Sequence, residues 1–204
     1  MSSEVESGSA RAPKRERGKQ RVAELLEAAT AVFAEKGYEA ATMTEIAARA
    51  DAPIGSLYQF FPTKGALSDT LVREYAALLL GDLQALEARA AELSLQALVD
   101  GLFGLLRGRP RERAAALPLA EARMDEQARR TTFRHMLRKS VAGIFKVRAP
   151  GLSSEAAQDM AIVMVQLMKA ASSLSDEDGL AGRVGALCEL QALAVSYLEQ
   201  RLER

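Results

Sequence analysis

The sequence predicts an all-α protein, built as a small N-terminal head on a larger helical body. Three observations carry this. Ala and Leu dominate and β-branched residues are sparse. Apolar residues recur at three- and four-residue intervals, with no period-two run of Val, Ile, Thr or aromatic residues. The helices before Ala91 are sharply punctuated by caps, Gly and Pro, and those beyond it less so.

Met1–Gly18 lacks an apolar stripe and reads as a disordered arm. The first helix is predicted over about Lys19–Lys36, where Val22, Leu25, Leu26, Ala29, Val32 and Phe33 form one stripe. Gly37 follows as a C-cap in left-handed backbone. Thr42 opens a short second helix: its hydroxyl caps the N-terminus and Glu45, three residues on, completes a capping box. Ile46, Ala47 and Ala50 face inward. Asp51 sits where the chain reverses, because Asp tolerates left-handed backbone better than most residues. Pro53 suits the first position of a third helix, where its missing N–H costs nothing. That helix is predicted over Pro53–Phe61, about 13 Å long, and Pro62 stops it. Thr63 caps a long helix, Lys64–Ala90.

Farther on, a helix is predicted over Leu93–Leu106, ended by Gly108 and Pro110. Arg111–Arg129 is one helix or two, since Pro118 lies inside it. Thr131–Val147 follows, stopped by Pro150-Gly151. Ser153 or Ser154 caps a helix to about Ser173, and a turn over Ser175–Gly179 leads to the last one, Leu180–Leu202. No repeat of solenoid length occurs.

At 204 residues the chain should bury roughly 70% of its unfolded surface. The lone Cys188 excludes an intrachain disulfide and a Cys-rich metal site. No apolar run follows Met1, and no stretch approaches the roughly 20 apolar residues of a membrane span. A soluble, cytoplasmic protein without membrane contact is expected. The 27 basic and 27 acidic residues cancel, so overall charge gives no support for a nucleic-acid partner. Its distribution gives some. Arg11, Lys14, Arg15, Arg17, Lys19 and Arg21 face one acid, Glu16, while Asp176, Glu177 and Asp178 cluster at the other end. The arm is either a solvated tail or a basic strand for an adjacent minor groove.

Thr42–Leu67 has the shape of a helix-turn-helix. A helix of about nine residues cannot bury both faces, and one carrying Ser56, Tyr58 and Gln59 outward is expected to dock on something polar, with duplex DNA leading. Tyr58 is either a core aromatic or a contact to phosphate or a thymine methyl. Ser56 and Gly55 occupy the first turns of the recognition helix. The glycine serves close approach to DNA or merely tight helix packing. Thr42 and Thr44 stand at a helix N-terminus, suited to phosphate, although capping alone explains Thr42. Lys64 reads as a phosphate clamp or a solvated lysine.

The stretch resembles the TetR family of bacterial transcriptional regulators. The matching residues are Thr42, Ile46, Ala47, Ala50, Gly55, Leu57, Tyr58, Phe61, Lys64 and Leu67, preceded by Phe33-Ala34-Glu35-Lys36-Gly37-Tyr38. The resemblance covers about fifty residues. Two positions depart from the family pattern: Asp51 stands where Gly is usual in the turn, and Phe60 stands where a His or Tyr commonly supplies a phosphate contact, a role Gln59 takes over in part. The resemblance implies an arm at 1–18, a DNA-reading head at 19–65 and an effector-binding, dimerising body at 66–204. It implies that Thr42, Thr44, Ile54, Gly55, Ser56, Tyr58, Gln59 and Lys64 meet DNA. It implies a homodimer on a palindromic double-stranded operator, released by an unidentified small-molecule effector, most simply a repressor. Two C-terminal helices per chain would form the seam through Ala157, Met160, Ala161, Met164, Leu167, Met168, Val184, Leu187, Leu190, Ala194 and Tyr197. The alternative is a helical small-molecule-binding or protein-interaction module without a DNA role.

Other features read plainly. Met160, Met164 and Met168 share one helix face and are core, interface or an adaptable pocket wall. His135 is a partly exposed helix histidine or a ligand contact, and with Cys188 alone it cannot form a structural zinc site. Arg129, Arg130, Arg134, Arg138 and Lys139 form either a solvated basic face or a site favouring an anionic effector. No nucleophile elbow or phosphate-binding glycine loop is visible, so neither an enzyme nor a cofactor is expected.

Overall fold

The computed structural model describes residues 14–122, 126–177 and 179–202, without the side chains of residues 14–15 and 117–132. It is all-α. In chain order the described helices are α1 (Lys14–Ala40), α2 (Met43–Arg49), α3 (Ile54–Phe60), α4 (Lys64–Arg89), α5 (Leu95–Arg107), α6 (Pro110–Ala122), α7 (Glu126–Arg148), α8 (Ser154–Asp176) and α9 (Arg183–Leu202).

Most boundaries follow the caps. Thr42 accepts from the Glu45 N–H, Thr63 from Ala66, Ser94 from Ala97 and Ser153 from Ala156. Each hydroxyl satisfies one of the N–H groups that a helix start leaves without an intrahelical acceptor. Several boundaries differ from expectation, among them the start of α7 at Glu126 rather than Thr131 and of α9 at Arg183 rather than Leu180. α1 begins at Lys14, so residues 14–18, expected in the arm, belong to the helix; residues 1–13 lie outside the described ones. Pro53 is the N-cap of α3 rather than its first residue, with φ −57° and ψ 136°. Pro118 does not end a helix, because α6 runs through it to Ala122, and the segment Arg111–Arg129 is shared with α7, which is described from Glu126.

Backbone conformations at the two tight points answer to residue type. Asp51 has φ 47°, the left-handed turn expected of it. Gly37 has φ 74° and ψ 173°, a region open essentially to glycine alone. The chain therefore bends sharply there and makes one more helical turn to Ala40.

Buried side chains form two clusters. In the head, Leu25, Ala29, Val32 and Phe33 of α1 meet Met43 and Ile46 of α2, Leu57 of α3, and Leu67 and Leu71 from the start of α4. Ala115 of α6 closes this cluster. In the body, Leu79 and Leu83 of α4 pack with α5, α7, α8 and α9 around Leu98, Phe103, Leu137, Phe145, Met164 and Leu198. α4 thus serves both clusters, and α6 lies against α1 and α4.

The C-terminal helices correct one expectation. Ala157, Met160, Ala161, Met164, Met168 and Ala194, assigned to a seam with a second copy, are buried in the chain's own core. Leu167, Leu187, Leu190 and Tyr197 are partly buried against that core. The reason is that α8 packs on α5, α7 and α9 of its own chain, which consumes its most apolar stripe. Of the residues named for the seam, Val184 is the one left largely open, at 73% exposure. Leu193 (57%), Ile162 and Val163 are the other large apolar residues exposed on α8 and α9.

Candidate nucleic-acid interface

α3 is seven residues long, Ile-Gly-Ser-Leu-Tyr-Gln-Phe, about 10 Å. Leu57 is its one buried residue and pins it to the head core. The opposite face is open: Ile54 is 40% and Tyr58 49% exposed, four residues apart and therefore stacked on one side of the helix. Gly55 and Gln59 are exposed and Ser56 is half-buried. A β-carbon added at Gly55 would meet nothing within 4 Å, so packing inside this chain does not require a glycine there. Its cost to the helix, about 0.5–1 kcal/mol against alanine, has no return within the protein.

Phe60, beside that face, packs its ring partly against the head core, as its lack of a polar tip requires.

α2 supports α3 from behind. Thr42 and Thr44 are exposed at its N-terminus. Thr42 has its polar atoms engaged: its N–H and hydroxyl donate to Glu45 Oε2 at 3.0 and 2.9 Å, and its hydroxyl accepts from the Glu45 N–H at 3.2 Å. Lys36 donates to the other carboxylate oxygen at 2.6 Å. Hydrogen bonds from Lys36, then from the Thr42 hydroxyl and N–H, hold the Glu45 carboxyl down to about 2. The N-terminus of α2 therefore already holds an internal anion, and Thr42 acts first as a cap. Arg49 grips both oxygens of Glu35 at 2.7–2.8 Å, which ties the end of α2 to α1 and lowers the Glu35 carboxyl.

Lys64 stands differently from its expected role. Its ammonium donates to the carbonyls of Tyr38, Glu39 and Ala41 at 2.8, 3.2 and 3.0 Å and lies 4.4 Å from the centre of the Tyr38 ring. An ammonium has three N–H donors, and all three are used on the chain's own backbone. The side chain is turned inward, closing the end of α1 below the Gly37 bend. Sequence inspection missed this because the partners are carbonyls more than twenty residues away. The pairing of Lys64 with Tyr38 was the available clue.

Residues 25–70 match the sequence model of the family described as bacterial regulatory proteins, tetR family. The chain carries a TetR-family head. The chain is also 41% identical over 58 residues to the HTH-type transcriptional repressor KstR of Rhodococcus jostii (strain RHA1), a match spanning 28% of this chain and 27% of that protein. The chain therefore spans little more than a quarter of that curated relative in matched sequence. Solved structures extend the likeness in fold to the body. A TetR-like transcriptional regulator from Rhodococcus sp. RHA1 aligns over 92% of this chain and 98% of its own, with TM-score 0.64 at 21% identity. FadR from Bacillus subtilis, in complex with stearoyl-CoA, aligns over 85% and 97%, with TM-score 0.62 at 18% identity. The TetR-family head and its helical body thus share one known architecture.

Among the described residues no group of His, Cys, Asp and Glu could hold a metal ion, and none of the helices is long and apolar enough to cross a membrane. His135 and Cys188 are exposed on α7 and α9.

Proposed function

We propose that this TetR-family protein is a ligand-responsive regulator that binds a palindromic operator as a homodimer and leaves it when a small molecule occupies the body. The observation carrying this is the outward face of α3, where Ile54, Gly55, Tyr58 and Gln59 stand open on a helix held by one buried leucine. A face without charge, centred on an aromatic hydroxyl and an amide, suits base edges and a thymine methyl in a major groove. Gly55 lets the backbone approach. Ser56 and Thr44 supply further hydroxyls, Thr42 orients α2 from within its capping box, and Lys64 positions the head from inside.

The dimer uses the exposed apolar residues Ile162, Val163, Val184 and Leu193 of α8 and α9, and sets two α3 helices about 34–36 Å apart. The ligand acts by binding one head spacing better than the other. A coupling of about 1–3 kcal/mol changes operator affinity roughly 5–150-fold. That FadR, of the same fold, was crystallised with stearoyl-CoA supports a body able to accept a small molecule.

The test is selection of duplexes from a random pool by the full chain, followed by anisotropy titration of the product. A palindromic product bound at nanomolar concentration is expected. Tyr58→Ala should weaken binding at least tenfold and leave the unfolding midpoint unchanged. Failure to enrich any duplex would favour a helical binding module without a DNA role.

A further inference from the structure

A cavity of about 400 Å³ opens in the body between α5, α6, α7 and α8. Its apolar wall is Leu106, Phe133 and Leu137, and its described cations are Arg113, Arg134 and Lys169 against one carboxylate, Asp176. This size is within the range of small-molecule sites, which combine apolar walls with a few fixed polar groups.

Arg113 is unusual in the molecule. Its side chain is 7% exposed, whereas the Asp176 side chain that pairs with it is 53% exposed. One end of the guanidinium, Nη1, donates to the Leu106 carbonyl and to the Ser172 hydroxyl. The other, Nη2, donates to both oxygens of Asp176. The two partners are not equally fixed. Arg113 is buried and held by neutral acceptors on α5 and α8. Asp176 is the last residue of α8, where the negative end of the helix dipole disfavours a carboxylate, and Glu177 and Asp178 follow it in sequence. A buried cation needs a counter-ion, and the one present is half in water at the negative end of a helix.

We propose that this cavity binds a small organic carboxylate with an apolar body, whose carboxylate takes the place of Asp176 on Arg113 Nη2. Nη2 carries two N–H donors, and both are already directed at a carboxylate in Asp176, so an incoming carboxylate meets the same charge-assisted pair of bonds. Arg134 lies beside the second negative charge brought near Asp176, and Leu106, Phe133 and Leu137 receive the apolar portion. As the effector of the regulator, this ligand rests on the ligand-responsive reading above. The route to the head is short. Arg113 belongs to α6, whose Ala115 is part of the head cluster. Phe133 stacks on Tyr75 of α4, with ring centroids 6.2 Å apart.

The experiment is calorimetric titration of the full chain, without DNA, with octanoate, decanoate and benzoate, each against its neutral alcohol. At least one carboxylate should bind tenfold or more tighter than its alcohol. Asp176→Asn removes the internal competitor and should tighten that carboxylate at least fivefold, an effect opposite to that of a merely structural ion pair. Ser173→Trp, at an exposed position on the cavity rim, should abolish binding with the fold intact by circular dichroism. If no carboxylate outbinds its alcohol, or if Asp176→Asn and Ser173→Trp both leave affinity unchanged, the site is refuted. If a carboxylate binds as described but leaves operator affinity untouched, the site stands and the regulatory reading fails.

Discussion

Lys64 in the head and Arg113 in the body are both cations turned away from water, and they are held in opposite ways. Lys64 has three backbone carbonyls as partners. Those oxygens cannot leave without unfolding the end of α1, so the contact is a permanent fastener. Arg113 has neutral acceptors on one nitrogen and, on the other, a half-exposed side-chain carboxylate. That carboxylate can swing into solvent while the helix it ends stays folded. A cation bound to backbone fixes geometry, whereas a cation bound to an exposed side chain leaves room for exchange. In the function proposed above, the head presents a fixed face and the body accommodates change, and the two cations are held accordingly.

The contrast can be broken in order of effect. Leu57→Ala removes the one buried residue of α3 and should cost about 3 kcal/mol, with the loss of operator binding exceeding the loss of stability. Denaturant titration beside anisotropy measures both. Lys64→Met should cost about 2 kcal/mol, because carbonyls that accepted charge-assisted bonds lose them. Amide exchange should quicken at the end of α1 and in α2 while α7–α9 stay protected. Uniform loosening of head and body would show that Lys64 is not a local fastener. Asp51→Gly relieves a left-handed non-glycine residue and should stabilise the head by up to about 1 kcal/mol.

The smallest effect is acidic. Glu45 is depressed to about 2 in the folded state from an ordinary 4.5. Its stabilising contribution is complete above the unfolded value and fades as pH falls from about 4.5 towards about 2. Glu45→Gln should flatten that part of the head's pH–stability curve, and an unaltered slope would mean the carboxylate's bonds to Lys36 and Thr42 are not held in solution.

The head was legible because its information is local. Thr42 and Glu45 lie three residues apart, and Asp51, Pro53 and Pro62 restrict their own backbone. The open face of α3 follows from Leu57 alone facing inward. The body was legible only as helices. Nothing near Met160 or Met164 in sequence says whether their stripe meets another chain or this one, since both surfaces are apolar. α5, α7 and α9 resolve it by covering α8. Arg113 was invisible for a related reason. An arginine within Arg-Glu-Arg-Ala-Ala reads as solvent-facing, and its burial depends on Ser172 and Asp176, about sixty residues on.

α4 has a mechanical consequence. Its 26 residues make a rod about 39 Å long. Leu67 and Leu71 near one end are sealed into the head, and Leu79 and Leu83 are sealed into the body. Pivoting such a lever by about 5° sweeps its tip through about 3 Å, a sizeable part of the spacing between successive base pairs. Severing the chain just before this rod would strip the smaller unit of one wall, so the two parts are expected to melt as partners rather than as strangers.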